Sequence, residues 1–296
     1  MEKFKGAIAV FIGAASFGIL STFVKKAYAA GFNLGEVTGI QALFGMLVLW
    51  ILYFILAGQK EHKSYPQTSQ KWKIMVAGIS TGAVSILYYK AVELVPASIA
   101  IILLMQFIWI SALINFLVFK QKPSTWETIG IICILASTLL ATGAFEDNLT
   151  SISPLGITFG LLAATAYAIF IIVNGKVGND YPPVTKSALM VSGACLFIFI
   201  TLQPFSLFDF TKDLSIYQYG IVLSVFGTVL PPFLYAYGMP KVGVSLGSIL
   251  SAVELPVAVC LSYLVLNERV TVLQWLGVLL ILLFVILINM IKPSKK

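Results

Sequence analysis

Long apolar runs, each about 20 residues, follow one another along the whole chain with short polar connectors between them. The hydrocarbon core of a bilayer is about 30 Å thick, and a helix of about 20 apolar residues crosses it. Because lipid offers no hydrogen-bond partners to backbone groups, each run is predicted to be helical. Ten runs, here called spans 1 to 10, lie at 5–24, 36–57, 73–92, 96–119, 126–144, 154–175, 185–205, 216–238, 242–266 and 272–291.

The composition excludes a soluble globular protein. Hydrophobic residues make up 59% of the chain and charged residues 10%, whereas a soluble domain carries roughly 25% charged residues. The net charge of +7 does not indicate a nucleic-acid partner, because the lysines lie in connectors and at the tail, where they anchor helix ends. The predicted fold is therefore an all-α integral membrane protein with ten transmembrane helices.

The residue types needed for metal, disulfide or hydrolytic chemistry are scarce. Cys133, Cys195 and Cys260 each lie inside an apolar run, where cysteine behaves as a small hydrophobic residue. His62 is the single histidine and lies in a polar connector. We therefore expect no metal and no cofactor, and an intramembrane enzyme is disfavoured. No phosphate-binding loop of the Walker type is present, so ATP is not the expected energy source.

Lysine asymmetry predicts the orientation. With the N-terminus inside, most of the 19 Lys and Arg residues fall on the cytoplasmic side, which the positive-inside rule requires. Both termini are therefore predicted to be cytoplasmic in a multi-pass protein of the cytoplasmic membrane. The sequence Ala27-Tyr28-Ala29 has the form of a cleavage site, but the apolar run before it is long for a signal peptide. We expect span 1 to be retained.

The two halves of the chain are related to each other. A shift of 147 positions places Tyr88 on Tyr235, Val95 on Val242 and Gly130 on Gly277, and a shift of 150 places Gly6 on Gly156 and Phe17 on Tyr167. Each half holds five spans, and since five is odd the halves cross the membrane in opposite senses. Inverted repeats of this kind are an architecture of secondary transporters. The predicted repeats are 1–145 with spans 1–5 and 152–292 with spans 6–10.

Two short motifs give the chain a resemblance to a known family. The stretch 95–100, Val-Pro-Ala-Ser-Ile-Ala, and the stretch 266–271, Leu-Asn-Glu-Arg-Val-Thr, with Gln274 and Gly277 after it, resemble signatures of the drug/metabolite transporter superfamily and of its EamA-type members. The first repeat departs from the second signature, because Gln121 stands where the glutamate is usual. The resemblance implies alternating access and a central cavity lined by spans 1, 3, 4, 6, 8 and 9. It names no substrate.

Glu254, near the middle of span 9, is the first candidate for substrate or proton binding. A charge at bilayer depth costs about 2.5–3.5 kcal/mol on insertion scales, and such residues usually face a cavity or a partner. Ser251 shares its helical face. Glu254 is predicted either to bind an amino or cationic group or to carry a coupling proton. The alternative is a static glutamate that is hydrogen-bonded to serine or tyrosine.

Four more side chains are candidates for the wall of the cavity. Gln106 and Trp109 flank Phe107, the residue of the first repeat that corresponds to Glu254, and could present an amide and a ring face to an amine. Tyr167 and Asn174 are seven residues apart in span 6 and hence on one face. Packing for Trp109 and interhelical hydrogen bonding for Tyr167 and Asn174 remain equally open alternatives.

Pro231 and Pro232 interrupt span 8, and Tyr235 follows them. Two consecutive prolines remove two backbone donors and kink a helix, and broken helices often form the binding region or gate of transporters. The alternative is a passive kink.

These observations favour a secondary active transporter for a small amino-acid-like or amine-like metabolite, with export as the expected direction. A proton or another ion is the candidate for coupling through Glu254. The alternative is uptake of a cationic nutrient such as a quaternary ammonium compound. A channel is less favoured because the polar residues differ between the halves. The expected partners are the substrate and the lipid bilayer, and the expected state is a monomer or a weak dimer.

Overall fold

The structure, a computed structural model, describes residues 2–57, 70–95, 97–141, 153–209, 213–267 and 270–290. His62, the motif residues Pro96, Glu268 and Arg269, and the predicted repeat ends at 145, 152 and 292 lie outside the described residues.

The described residues form helices and contain no strand. Spans 2, 3, 5, 6, 7 and 10 are single helices, at Leu34–Ala57, Lys71–Leu94, Thr125–Ala141, Pro154–Lys176, Pro183–Leu202 and Val272–Met290. Four spans are interrupted: span 1 (Glu2–Gly18 and Leu20–Ala29), span 4 (Ala97–Met105 and Phe107–Phe119), span 8 (Ser215–Ser224 and Leu230–Val242) and span 9 (Val244–Ser251 and Glu254–Leu266). A π-helix, Val225–Val229, joins the two parts of span 8, and a 3₁₀ helix, Phe205–Phe208, lies between spans 7 and 8.

Eight of these spans are long and apolar enough to cross a bilayer. The helices of spans 5 and 10, Thr125–Ala141 and Val272–Ile288, are apolar but shorter. The prediction of an all-α membrane protein with ten apolar helices is therefore confirmed.

Spans 4 and 9 have the same internal break and the same end. Span 4 breaks at Gln106, and span 9 breaks at Ala252 and Val253. Both spans end in a left-handed residue, Lys120 with φ 58° and Asn267 with φ 55°. The pairs 106 and 253, and 120 and 267, are each separated by the 147 positions of the repeat.

The helices that follow these turns begin with equivalent capping boxes. The Ser124 hydroxyl accepts a hydrogen bond from the Glu127 backbone N–H at 3.2 Å, and the Glu127 carboxylate accepts one from the Ser124 N–H at 2.7 Å. Thr271 and Gln274 make the same two bonds in the second repeat, at 3.3 and 2.8 Å. Each box satisfies two backbone donors at a helix start. The Thr271 and Gln274 positions of the family signature are therefore explained by helix capping.

Contacts between the repeats follow an inverted two-fold relation. Span 1 packs on spans 8 and 9, and in the same way span 6 packs on the equivalent spans 3 and 4. Spans 5 and 10, which are equivalent to each other, pack together. A Cβ atom added at Gly130 would meet Ile288, and one added at Gly277 would meet Ala141. These two contacts exchange under the shift of 147, so the structure contains the repeat that the sequence indicated.

A second pair of glycine contacts lies at opposite ends of the bundle. A Cβ added at Gly6, at the start of span 1, would meet the Lys241 Cβ at 2.8 Å. A Cβ added at Gly156, at the start of span 6, would meet the Leu94 Cβ at 3.1 Å. Because span 1 begins on one face of the bundle and span 6 on the other, the same contact occurs once at each end.

Candidate functional site

Glu254 is the first residue of the second helix of span 9, directly after the break. Its side chain is 5% exposed, and its carboxylate accepts a hydrogen bond from the Tyr167 hydroxyl at 3.0 Å. Span 1 approaches closely here, since a Cβ added at Gly18 would contact the Glu254 carbonyl oxygen at 2.5 Å. The break in span 9 thus places a carboxyl group in the protein interior beside the break in span 1.

A chain of hydroxyl groups leads away from Glu254. The Tyr167 and Tyr235 hydroxyls lie 3.3 Å apart, and the Tyr235 hydroxyl lies 2.6 Å from the Ser251 Oγ. Ser251 in turn donates to the Gly247 carbonyl at 2.8 Å. The structure therefore brings together four of the residues proposed from sequence, Glu254, Tyr167, Tyr235 and Ser251, from spans 6, 8 and 9.

Glu254 contributes to the wall of an interior cavity. The empty volume of the cavity is about 470 Å³, and this volume includes part of its opening to solvent. The wall is mostly aromatic and aliphatic, with two small hydroxyl groups, and consists of Phe17, Leu20, Thr81, Val84, Ser85, Tyr88, Tyr89, Leu104, Tyr167, Phe170, Gly227 and Glu254. These residues come from spans 1, 3, 4, 6, 8 and 9, the six spans that the family resemblance implied.

Gln106 and Trp109 lie elsewhere. The Trp109 indole donates to the Gln106 side-chain oxygen at 2.8 Å, and the Gln106 amide donates to the Ile102 carbonyl at 3.0 Å. Trp109 is 41% exposed, and neither residue lines the cavity. Phe107, between them in the sequence, faces inward instead, with its ring centroid 4.4 Å from that of Tyr167.

Asn174 is fully buried but does not line the cavity. Its amide donates to the Phe170 carbonyl at 2.9 Å. Its backbone carbonyl accepts a hydrogen bond from Lys186 Nζ at 2.7 Å, and Lys186 also donates to the Asn179 side chain at 2.8 Å. From the sequence Lys186 is one more basic residue near a helix end, but in the structure it is buried and stabilises the last turn of span 6.

Pro231 and Pro232 begin the helix Leu230–Val242, after the π-helical turn, and both are buried. The Leu230 N–H donates to the Val225 carbonyl, five residues earlier. The Phe226 carbonyl, which an α-helix would pair with Leu230, accepts a hydrogen bond from the Ser16 hydroxyl of span 1 at 2.7 Å. The interruption in span 8 is thus a π-helix held by span 1, located just before the two prolines that indicated it.

Gln41, whose orientation could not be assigned from sequence, joins three spans. Its side chain donates to Thr228 Oγ1 at 3.1 Å and accepts from the Tyr89 hydroxyl at 2.8 Å. Thr228 belongs to the π-helix, and Tyr89 lines the cavity. Sequence reasoning did not select Tyr89, Tyr88, Phe17 or Phe170 for the wall, because aromatic residues are common in every span.

A second, more open pocket lies at the end of span 1, lined by Lys25, Tyr28, Phe32, Asn33, Leu34, Val92 and Glu93. The Tyr28 hydroxyl donates to the carbonyl of Tyr89, so Tyr28 contacts the wall of the interior cavity as well. Lys90 and Glu93, three residues apart in the helix of span 3, form an ion pair at 2.9 Å. We call this pocket the span 1 pocket.

Comparison with known proteins gives consistent results. The sequence profile of the EamA-like transporter family matches twice, at residues 4–143 and 154–290. Among curated proteins, the uncharacterized transporter YcbK of Bacillus subtilis is 22% identical over 93% of this chain and 90% of its own length. The threonine/homoserine exporter RhtA of Escherichia coli K12 is 22% identical over 81% of this chain and 77% of its own. A solved crystal structure shares the fold, with a TM-score of 0.71, 16% identity and coverage of 95% of this chain and 98% of that one.

Proposed function

Because this chain belongs to the EamA-like transporter family, we propose that it is a secondary active transporter that exports a small amino-acid-like or amine-like metabolite across the cytoplasmic membrane by alternating access. The observation that carries the proposal is Glu254, a carboxyl group buried in the wall of a cavity that six spans of both repeats share. Ionisable groups at this depth usually mark a substrate or ion pathway. Both termini are proposed to be cytoplasmic, and the working unit a monomer or weak dimer.

Glu254 is proposed to hold the amino group of the substrate in one step and a proton in another. Its carboxylate is the acidic side chain in the described wall of the cavity, so a substrate cation and a proton would compete for the same oxygen atoms. Competition of this kind makes release of one species a condition for binding of the other. Glu254 would thereby exchange substrate for a proton.

The hydroxyl chain supports proton binding, because its hydrogen atoms can be counted. With Glu254 ionised, Tyr167 donates to the carboxylate, Tyr235 to Ser251 and Ser251 to Gly247, so no hydrogen atom is left for the contact between the two tyrosines. With Glu254 protonated, the carboxyl can donate to Tyr167, Tyr167 to Tyr235, and Tyr235 to Ser251. The proton therefore reverses one link and completes the chain, which couples its presence to the contact between spans 6 and 8.

The test is transport by purified protein in proteoliposomes with and without a pH gradient. Glu254→Gln keeps the size of the side chain and its hydrogen bond to Tyr167 but cannot ionise, so transport driven by the gradient is expected to fall to background. Glu127→Gln is the matched control, since glutamine also forms a capping box and Glu127, which is half-exposed, does not line the cavity. Transport driven by the pH gradient that survives in Glu254→Gln would overturn the proposal that Glu254 carries the coupling proton.

The alternative, uptake of a cationic nutrient such as a quaternary ammonium compound, is favoured by the aromatic rings near Glu254, since ring faces attract such cations. Two assays on the same cells separate the directions: uptake of radiolabelled compound into cells, and efflux from preloaded cells. Export predicts faster efflux than in cells that lack the protein, with no gain in uptake.

A further inference from the structure

We infer that the cavity selects organic cations that carry no carboxylate, namely protonated amines with an apolar or aromatic body, over zwitterionic amino acids. This inference deepens the proposed function and rests on it, because it takes the Glu254 cavity as the substrate site. It concerns the chemical class of the substrate only.

The first argument is the charge of the wall. Among the described lining residues, Glu254 carries the negative charge and no lysine, arginine or histidine accompanies it. An amine would find an opposite charge, whereas the carboxylate of an amino acid would enter an interior of low polarity without a counter-charge. Burying an unpaired charge is strongly unfavourable.

The second argument concerns the helix breaks, since the N-terminus of a broken helix could in principle attract a carboxylate. The backbone at these breaks remains helical, with φ −70° and ψ −30° at Ile19 and φ −63° and ψ −17° at Val253. Their N–H groups are already used: Ile19 donates to the Ser16 carbonyl and Val253 to the Leu250 carbonyl. The Gln106 N–H likewise donates to the Leu103 carbonyl. The N–H groups of these three break residues are therefore not free to bind an anion.

The third argument is the aromatic surface beside Glu254. The ring centroids of Phe17 and Tyr167 lie 5.8 Å apart, and those of Tyr167 and Phe170 lie 5.6 Å apart. Tyr88 and Tyr89, on span 3, complete the wall, with ring centroids 6.2 Å apart. Ring faces attract cations and pack against apolar groups. A ligand that fits this wall has a cationic end for Glu254 and an apolar body for the rings.

The basic residues at the neighbouring pocket, Lys25 and Lys90, are not part of the cavity wall. Lys25 lines the span 1 pocket, and Lys90 forms its ion pair with Glu93, which lines the same pocket. These cationic groups are therefore not part of the described cavity wall, in which Glu254 supplies the carboxyl group.

The experiment compares ligands that differ in the carboxylate alone. Purified wild-type protein is titrated with phenylalanine, phenylalanine methyl ester and phenethylamine, and with homoserine and 3-aminopropan-1-ol, while thermal stabilisation and counterflow in proteoliposomes are measured. The amine and the ester should bind at least about tenfold more tightly than the matching amino acid, a difference of about 1.4 kcal/mol. Their stabilisation should be lost in Glu254→Gln and kept in Glu127→Gln.

The outcomes separate the two proposals. Amino acids that bind as tightly as the amines, with a signal lost in Glu254→Gln, would overturn the inference about substrate class and leave the proposed function standing. Absence of stabilisation by every amine and ester would overturn the inference too. Amine binding that is unchanged in Glu254→Gln would overturn both. The ligand series uses the wild-type protein, so its result does not depend on whether a variant folds.

Discussion

In the second repeat the Glu254 carboxyl stands where the first repeat has the Phe107 ring, and Tyr167 contacts both of them. The two-fold relation of the fold therefore ends at the residues that we propose to bind the substrate or the proton. A buried carboxyl group is stable only with partners, and the second repeat supplies them as Tyr167, Tyr235 and Ser251. A site with one carboxyl group is able to bind one cation or one proton at a time.

Tyr235→Phe is predicted to change the pH dependence of transport without abolishing substrate binding. The variant removes the oxygen that accepts the Tyr167 hydrogen atom when Glu254 is protonated, so the protonated state loses about one hydrogen bond, worth about 1 kcal/mol. The pH of half-maximal transport should then fall by up to about one unit, since one unit corresponds to 1.36 kcal/mol.

The pH profile of proteoliposome transport, and thermal stabilisation by substrate, are the two measurements. Tyr237→Phe, in the same span with its ring next to Lys241 Nζ, is the matched control and should keep the wild-type profile. An unchanged profile in Tyr235→Phe would show that the hydroxyl chain is not part of proton binding.

At this scale the sequence predicted the carboxyl group but only part of its surroundings. A glutamate in an apolar run is conspicuous, and Ser251 follows from helical spacing. The orientation of Gln106 and Trp109 was not predictable, because span 4 is apolar on every side and its periodicity does not say which face points inward. Their i, i+3 contact was predictable, and the structure contains it.

The elements that position the site are the interrupted spans. Spans 1, 4, 8 and 9 are each broken at mid-length, and Phe17, Gly227 and Glu254 of the cavity wall lie next to three of these breaks. Pro231 and Pro232 indicated the interruption of span 8. The breaks in spans 1 and 9 were not predicted, since they are single turns with helical backbone angles. The break in span 9 has a local cause, because Pro256 has no N–H to donate to the Ala252 carbonyl, four residues earlier.

Ser16→Ala is predicted to destabilise the π-helix of span 8. The Ser16 hydroxyl satisfies the Phe226 carbonyl, which the π-helical turn leaves without its usual donor. Loss of one such hydrogen bond costs about 1 kcal/mol, and interhelical bonds in membranes average about 0.6 kcal/mol. The melting temperature in detergent should fall by a few degrees, and amide hydrogen exchange should increase locally in span 8.

The control for this prediction is Ser80→Ala, which removes a hydroxyl that donates to Ala77 of its own helix at 2.7 Å. A serine that bonds within its helix contributes little to contacts between spans. Equal losses of stability in the two variants, with no local change in exchange, would contradict a specific role of Ser16.

At the scale of the whole molecule, the inverted repeat was the feature that the sequence predicted best. Turn residues and helix starts recur at a fixed shift because they serve local geometry, as in the capping boxes of Ser124 and Thr271. The cavity itself required the structure. Its wall combines six spans that are distant in sequence, and which side chains meet there depends on how ten helices rotate against each other.

The repeat predicts how the proposed alternating access would work. The start of span 1 contacts the end of span 8 at Gly6 and Lys241, and the start of span 6 contacts the end of span 3 at Gly156 and Leu94, at opposite faces of the bundle. Both contacts are formed in this structure. If each face opens by releasing its own contact, a methyl group at Gly6 favours opening of the first face and a methyl group at Gly156 favours opening of the second. Overpacking of this kind costs about 1–3 kcal/mol, enough for about a tenfold shift in population.

The measurement uses Ser85→Cys in the cavity wall as a reporter, with Cys133, Cys195 and Cys260 replaced by alanine. Labelling by a membrane-impermeant maleimide in right-side-out and inside-out vesicles gives the accessibility from each side. Gly6→Ala and Gly156→Ala should shift the accessibility of the cysteine toward opposite sides of the membrane. The control is Gly175→Ala, whose Cβ would make an ordinary 3.6 Å contact with Val244, and it should leave the accessibility unchanged. A shift of both variants toward the same side would show that the two glycine contacts do not act as opposed gates, even though the fold relates them by symmetry.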